Sequence, residues 1–435
     1  MGLAAAGLLA VPVQSVVAHA AQPTPQPSAS AQPSPAGGFP VLDDATEARL
    51  DAAIQDVLKK TGVPGAIVGL SAPGKGEYTR AFGVADKATG KEMTPNLYSR
   101  IGSETKTFTV TALLQLAQEG KVGLDDPIGK YVEGVPNGDR VTLRELAGMR
   151  SGLLSYTQTE PFYKALTSDP TRYFTPRQLL DFAFEAPEPV LFEPNAEFNY
   201  SNTNLILLGL VVEKMSGQPL GDYIRDHILK PAGMSRTSFP RGPEFPTPHA
   251  QGYTQQTASG KTENATDWNP SWGWAAGAMI SDLRDMRTWA KTLATGTFPD
   301  GTRMVSPGMQ KQRLTTPPTA IPGAGYGLGI FDVQGWIGHN GSLPGYQSLT
   351  IYLPEEQATL VVLLNTDIPY GPQHEEPSTV FGQAITQVVT PDHVYNLPPV
   401  TQQNPKSSAP ATPASPASPA SPSSASPASP TTPAS

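Results

Sequence analysis

Cysteine is absent from all 435 residues, which removes disulfides, thiolate metal sites and a cysteine nucleophile together. Histidine is scarce. The six imidazoles, at positions 19, 227, 249, 339, 374 and 393, show neither H-x-H nor H-E-x-x-H spacing, so no metal and no cofactor is expected. G-x-S-x-G does not occur, which disfavours the nucleophile elbow of an α/β-hydrolase. Basic charge is also short. A net charge of −8 without a basic stripe argues against a nucleic-acid partner. Between Arg313 and Lys406 there is neither Lys nor Arg. No internal repeat is apparent.

What is present is unevenly placed, the 47 prolines above all. Leu3 to Val17 is mostly apolar and runs into Ala18-His19-Ala20, the small-residue pattern of a signal-peptide cleavage site, although no basic residue precedes it. The run is shorter than the ~20 residues a membrane span needs, and there is no cysteine to carry a lipid. The expected organisation is a signal peptide over 1–20 and a Pro/Ser/Ala leader over 21–38. A folded stretch over 39–395 and an Ala/Ser/Pro tail over 396–435 would follow. The mature protein is expected to be secreted, with no stable membrane anchor and with cell-wall association open to it. Its folded stretch, roughly 360 residues, exceeds the usual size of a single core, so two lobes are expected.

Periodicity predicts a helix from Asp43 to Lys60, capped by Asp43 or Asp44, with Leu50, Ile54, Val57 and Leu58 on one face. Strand-like runs Ala66–Ala72 and Glu77–Gly83 flank a Pro-Gly-Lys-Gly turn, and Gln347–Leu353 and Thr359–Asn365 form a second hairpin. Ser103–Glu119 is apolar almost all round, which predicts a helix buried along most of its length. Leu205–Met215 and Ser281–Leu293 are the clearest helices of the middle, and Ser378–Val389 closes the chain. Strands at both ends around a helical middle imply one antiparallel sheet completed by distant segments. The predicted fold is α+β, an antiparallel sheet flanked by helices with an all-helical lobe, about 124–296, inserted.

Chemistry concentrates in three short motifs, each occurring once. Ser103-Glu104-Thr105-Lys106 opens the buried helix and sets an amine one turn from a hydroxyl. A hydroxyl is a weak nucleophile until an adjacent base activates it. Tyr200-Ser201-Asn202 and His339-Asn340-Gly341 follow in order. With them the chain resembles the serine penicillin-recognising hydrolases, and most of all the branch of class C β-lactamases, secreted DD-carboxypeptidases and related esterases. Ser103/Lys106, Tyr200/Asn202 and His339/Gly341 match that family's three motifs. Further likeness lies in Glu119–Pro127, Leu191–Pro194 leading into Phe198–Asn202, Leu229–Met234 and Gly338–Tyr346, and it spans about residues 40–390. The implied fold is β-lactamase/transpeptidase-like, with the active site between sheet and helical lobe.

The resemblance implies an acyl-forming nucleophile in Ser103, with Lys106 as base or proton shuttle and Tyr200 as the proton path towards the leaving group. To be largely neutral near pH 7, a lysine pKa must fall by about 3 from ~10.4, at a cost of about 4 kcal/mol. Otherwise Tyr200 is the better base, and the sequence leaves the two open. Asn202 would bind the substrate's amide, and His339 would contribute hydrogen bonding or positive charge. Asn340, Gly341 and Ser342 would complete the substrate strand. The oxyanion hole would be the amides of Ser103 and of a residue near Ser342, each donor worth ~3–4 kcal/mol. Trp272 would line the cleft or pack in the core.

The expected substrate is a small peptide, ester or β-lactam, first of all a D-alanyl-D-alanine peptide of peptidoglycan. A carboxypeptidase must bind a free carboxylate, however, and a buried charge without its partner costs ~2–5 kcal/mol. Arg313, or an arginine of the helical lobe such as Arg236 or Arg241, would have to supply the cation. The gap strengthens two alternatives, a β-lactamase and a broad esterase or amidase of the same fold. An alternative of another class is a weakly catalytic protein that binds penicillins or wall peptides.

Overall fold

The computed structural model describes residues 38–398. The signal-like run 1–20, leader residues 21–37 and the tail from 399 onward lie outside the described residues.

The sheet is built from two distant parts of the chain. β1 (Gly65–Ala72), β2 (Gly76–Asp86) and β3 (Lys91–Glu92) come first. β4 (Ala324–Tyr326), β5 (Phe331–Val333), β6 (Trp336–Leu343), β7 (Tyr346–Leu353) and β8 (Ala358–Leu364) come last. Their spatial order is β3-β2-β1-β8-β7-β6-β5-β4. Every neighbouring pair is antiparallel. At the seam Ala66 faces Leu364 and Ser71 faces Thr359. Between Ser99 and Ala324 the chain is helix and loop, with strand pieces of only two residues.

β7 and β8 are buried at every position, the polar Gln347, Ser348, Thr350 and Thr359 included. Both faces of the sheet therefore carry helices. α1 (Asp44–Thr61) starts where Asp43 accepts a hydrogen bond from Thr46 N at 2.9 Å, and it packs with the last helix, α5 (Pro377–Val389). α2 (Thr105–Gln118), α3 (Asn202–Ser216) and α4 (Leu283–Thr295) complete the layers that position the site. α5 lies on Leu349, so close that a Cβ on Gly382 would come 2.7 Å from its Cδ2. α4 covers the opposite face, where a Cβ on Gly69 would come 2.5 Å from Leu283 Cδ1.

α4 also holds α2. Trp289 donates to Thr107 Oγ1 at 2.8 Å, and its ring stacks on Phe108 with centroids 4.0 Å apart. α2 is buried continuously from Thr105 to Leu116, and α3 packs against it. The nucleophile segment differs from expectation at its start. Ser103 belongs to a 3₁₀ turn, Gly102–Glu104, and the α-helix proper begins at Thr105. β4 and β5 were not foreseen. Three residues each, set among glycines, they are too short to show a period of two.

Candidate active site

The turn that carries Ser103 is jammed against β6. Gly102 adopts φ +52°, which favours glycine, and a Cβ there would lie 2.8 Å from Ser342 N. From the other side, a Cβ on Gly341 would sit 2.0 Å from Ile101 O. That same carbonyl accepts the Ser348 hydroxyl at 2.9 Å, which pins the turn to β7 as well. Two glycines thus allow backbone-to-backbone contact, and the contact brings the Ser342 amide beside Ser103. This is the arrangement an oxyanion hole requires.

Lys106 Nζ lies 2.7 Å from Ser103 Oγ and donates to Ala276 O at 2.8 Å. Its side chain is fully buried, and burial holds the amine well below the usual lysine range. No neighbouring cation is needed. With Ala276 O accepting one proton, a neutral amine at this site can turn its lone pair towards the Ser103 hydroxyl. Tyr200 completes the group: its phenol is a hydrogen-bonding neighbour of the Ser103 side chain. Lys106 Nζ stands 4.9 Å from the Tyr200 ring centroid. Burial raises the Tyr200 pKa, with the Ser103 hydroxyl opposing, so the resting phenol is protonated. At Ser103 Oγ the structure thus sets an amine favoured towards its neutral form and a phenol held protonated.

The loop that presents Tyr200 is fixed from behind. Asn199 N donates to Met149 O at 2.9 Å, and Asn202 N donates to Ser155 Oγ at 3.1 Å. Met149 takes a positive φ of 58° to do so. Asn202 opens α3, and its Nδ2 donates to Thr157 Oγ1 at 3.1 Å.

His339 corrects one expectation. It supplies no positive charge. Burial pushes its pKa down to about 3, so the imidazole is neutral. Nδ1 lies 2.6 Å from the carbonyl of Asn340, which can only accept, so Nδ1 carries the proton. Nε2 is then left to accept from Tyr326 O–H at 3.3 Å. With both nitrogens occupied, His339 braces an aromatic wall of Tyr200, Tyr326 and Phe331, with centroids 5.1–6.0 Å from its ring. Trp272 is half-buried: its ring lies 5.9 Å from that of Phe162, and its carbonyl accepts Tyr156 O–H at 2.6 Å.

On β6 the side chains of Asn340 and Ser342 are half-buried and alternate with the buried His339 and Gly341. Of the three arginines weighed as carboxylate partners, Arg313 and Arg236 are held in the fold, whereas Arg241 is largely exposed. Arg313 is buried and donates to Thr111 Oγ1 at 2.7 Å. Arg236 pairs with Asp282, and Arg241 with Asp222. Four contributors went unseen in the sequence. Ala276 acts through its carbonyl, which leaves no mark on side-chain patterns. Tyr326 was readable only as an aromatic between Gly325 and Gly327. Glu104 is buried, and burial raises its carboxyl to about 8 against the hydroxyls of Ser348 and Thr350. Glu376 stands beside Ser342.

Fold and site together define a serine hydrolase of the S-x-x-K kind on a β-lactamase-like scaffold. The family model described as Beta-lactamase matches residues 50–383, and the chain belongs to that family. It is 32% identical to the D-stereospecific amidohydrolase from Streptomyces sp., with a TM-score of 0.65 over 74% of this chain and 94% of that one. It is 26% identical to the D-amino acid amidase from Ochrobactrum anthropi SV3, with a TM-score of 0.67 over 81% and 97% of the two chains. Protein flp of Staphylococcus aureus (strain MW2) is 28% identical over 342 residues, or 76% of this chain. The aligned part spans 66% of flp, just under two thirds of its length.

Proposed function

We propose that this chain is an exported amide hydrolase acting on small D-amino-acid derivatives through an acyl-enzyme on Ser103. The observation that carries the reading is the buried amine of Lys106 at 2.7 Å from Ser103 Oγ. In the first half-reaction Ser103 Oγ attacks the scissile carbonyl while its proton passes to Lys106 Nζ. The oxyanion rests on the Ser103 and Ser342 amides. Collapse breaks the carbonyl–nitrogen bond, and the proton reaches the leaving amine through the Tyr200 phenol. Water then repeats the sequence on the ester, with Lys106 taking its proton and Ser103 leaving with one.

The amide reading is preferred over a DD-carboxypeptidase because Arg313 is buried against Thr111 and Arg236 pairs with the buried Asp282, which leaves only the exposed Arg241 of the three arginines weighed. It also agrees with the activities named for the amidohydrolase and amidase it resembles. Export is part of the proposal and rests on the Leu3–Val17 run and Ala18-His19-Ala20. Among the described residues no helix is long and apolar enough to cross a membrane.

Release of ammonia from D- and L-phenylalanine amide tests the reading. The D-amide is expected to turn over at least about tenfold faster in kcat/KM, the discrimination a single pocket contact of about 1.4 kcal/mol supplies. Faster release of D-alanine from an N-acylated D-alanyl-D-alanine peptide would restore the carboxypeptidase reading.

A further inference from the structure

Glu376 is the residue just before α5, in the N-cap position, yet its side chain makes no capping hydrogen bond. The Ser378 amide is taken instead by Gln347 Oε1 at 2.9 Å. The Glu376 carboxyl is thereby released towards the sheet, where it accepts from Gln347 Nε2 and hydrogen-bonds the Ser342 side chain. Gln347 Nε2 also lies 3.4 Å from Ser342 Oγ, and in the β6–β7 register Gln347 stands opposite Ser342. Glu376 therefore lies on the sheet face to which Asn340 and Ser342 present their half-buried side chains, next to the strand whose amide serves the oxyanion.

The charge around it is one-sided. The other charged group that acts on Glu376 is a second carboxyl, Asp367, and no cation does. Asp367 is already satisfied, accepting from Gly345 N at 2.8 Å, Thr254 Oγ1 at 3.1 Å and Gln256 Nε2 at 2.5 Å. Glu376 is left with Gln347 and Ser342 as its polar neighbours, without a counter-charge.

We propose that Glu376 is a specificity-determining residue that receives a substrate ammonium group next to the scissile bond and repels a free carboxylate there. This rests on the acyl-enzyme reading above and deepens it by naming the charge of the substrate. Burial pushes the empty carboxyl up to about 7, so an arriving cation finds a group that gains by ionising against it. An α-ammonium is attached one carbon from the carbonyl whose oxygen faces the Ser342 amide, within reach of a group that touches the Ser342 side chain. An ammonium on the leaving group offers the same chemistry from the other side of the bond.

Esters separate the two sources and keep the test independent of amidase activity. D-phenylalanine methyl ester is compared with its N-acetyl derivative, and the 2-aminoethyl ester of N-acetyl-D-phenylalanine with its ethyl ester. In one pair the wild-type kcat/KM is expected to favour the ammonium-bearing member at least about tenfold, and Glu376→Gln to bring that ratio near one. Glu376→Asp, which keeps the charge, is expected to retain the preference, separating charge from folding. The proposal is overturned if neither pair shows a preference for the cation, or if the preference survives Glu376→Gln. If the esters behave as expected but D-phenylalanine amide is not hydrolysed, the amidase reading fails and the ammonium site stands.

Discussion

Lys106→Met is expected to lower kcat by about 10³–10⁴-fold, the upper range for loss of a general base, while the protein melts at a higher temperature than wild type at pH 7. The two effects have one cause. Lys106 is fully buried, and burial alone holds its amine well below the usual range. The folded state keeps it neutral where the unfolded chain would protonate it, so below pH ~10.4 folding must expel a proton. Because the unfolded state binds more protons in that window, wild-type stability rises with pH. Methionine has nearly the same shape and no proton to expel. Its stability margin over wild type should therefore be largest on the acid side and shrink as pH approaches ~10.4. Activity follows the same group: wild-type kcat/KM should fall as pH drops through the Lys106 pKa, and the residual activity of the variant should lose that limb. Glu376, pushed up to about 7, titrates nearby, so the comparison between the two proteins isolates the lysine. Differential scanning calorimetry and pH–rate profiles over pH 5–10 provide both readings.

Gly341→Ala is expected to reduce kcat by about 10²–10³-fold or more, the cost of losing one oxyanion donor. It should also destabilise the fold by about 1–3 kcal/mol, the usual range for overpacking. The added Cβ would fall 2.0 Å from Ile101 O and 2.6 Å from Ser348 Oγ. The carbonyl is backbone, held by Ser348, and cannot swing aside as a flexible side chain would. Either the Ile101–Gly102 turn or β6 must retreat, and both motions separate the Ser342 amide from Ser103. The effect should appear in kcat more than in KM, because the hole binds charge that develops only in the transition state. Gly308→Ala is the matched control: a Cβ there meets nothing within 4 Å, and its activity should stay at the wild-type level.

Much of this was legible in the sequence because it depends on local pattern. The apolar wrap of Phe108, Val110, Leu113, Leu114 and Leu116 predicts a buried helix, and the lone S-x-x-K at its start predicts a buried amine next to a hydroxyl. The hairpins at both ends read correctly from their turns, and their pairing into one sheet followed from a helical middle that needed a partner layer. What the sequence hid depends on contacts between distant segments. The Ala276 carbonyl that steadies Lys106 comes from 170 residues away and leaves no side-chain signature. The state of His339 could not be read from H-x-G, because it is set by burial among Tyr200, Tyr326 and Phe331. Glu376 resembles any helix-capping acid until Gln347 is seen to have taken over the cap.

The account depends most on a covalent intermediate at one hydroxyl. Turnover of D-phenylalanine p-nitrophenyl ester, acid-quenched in the steady state and followed by peptide mass mapping, measures it directly. The predicted result is a D-phenylalanyl adduct on the peptide bearing Ser103, localised to that residue and lost in Ser103→Ala together with ester hydrolysis. An adduct at another residue, or undiminished hydrolysis by Ser103→Ala, would contradict the account.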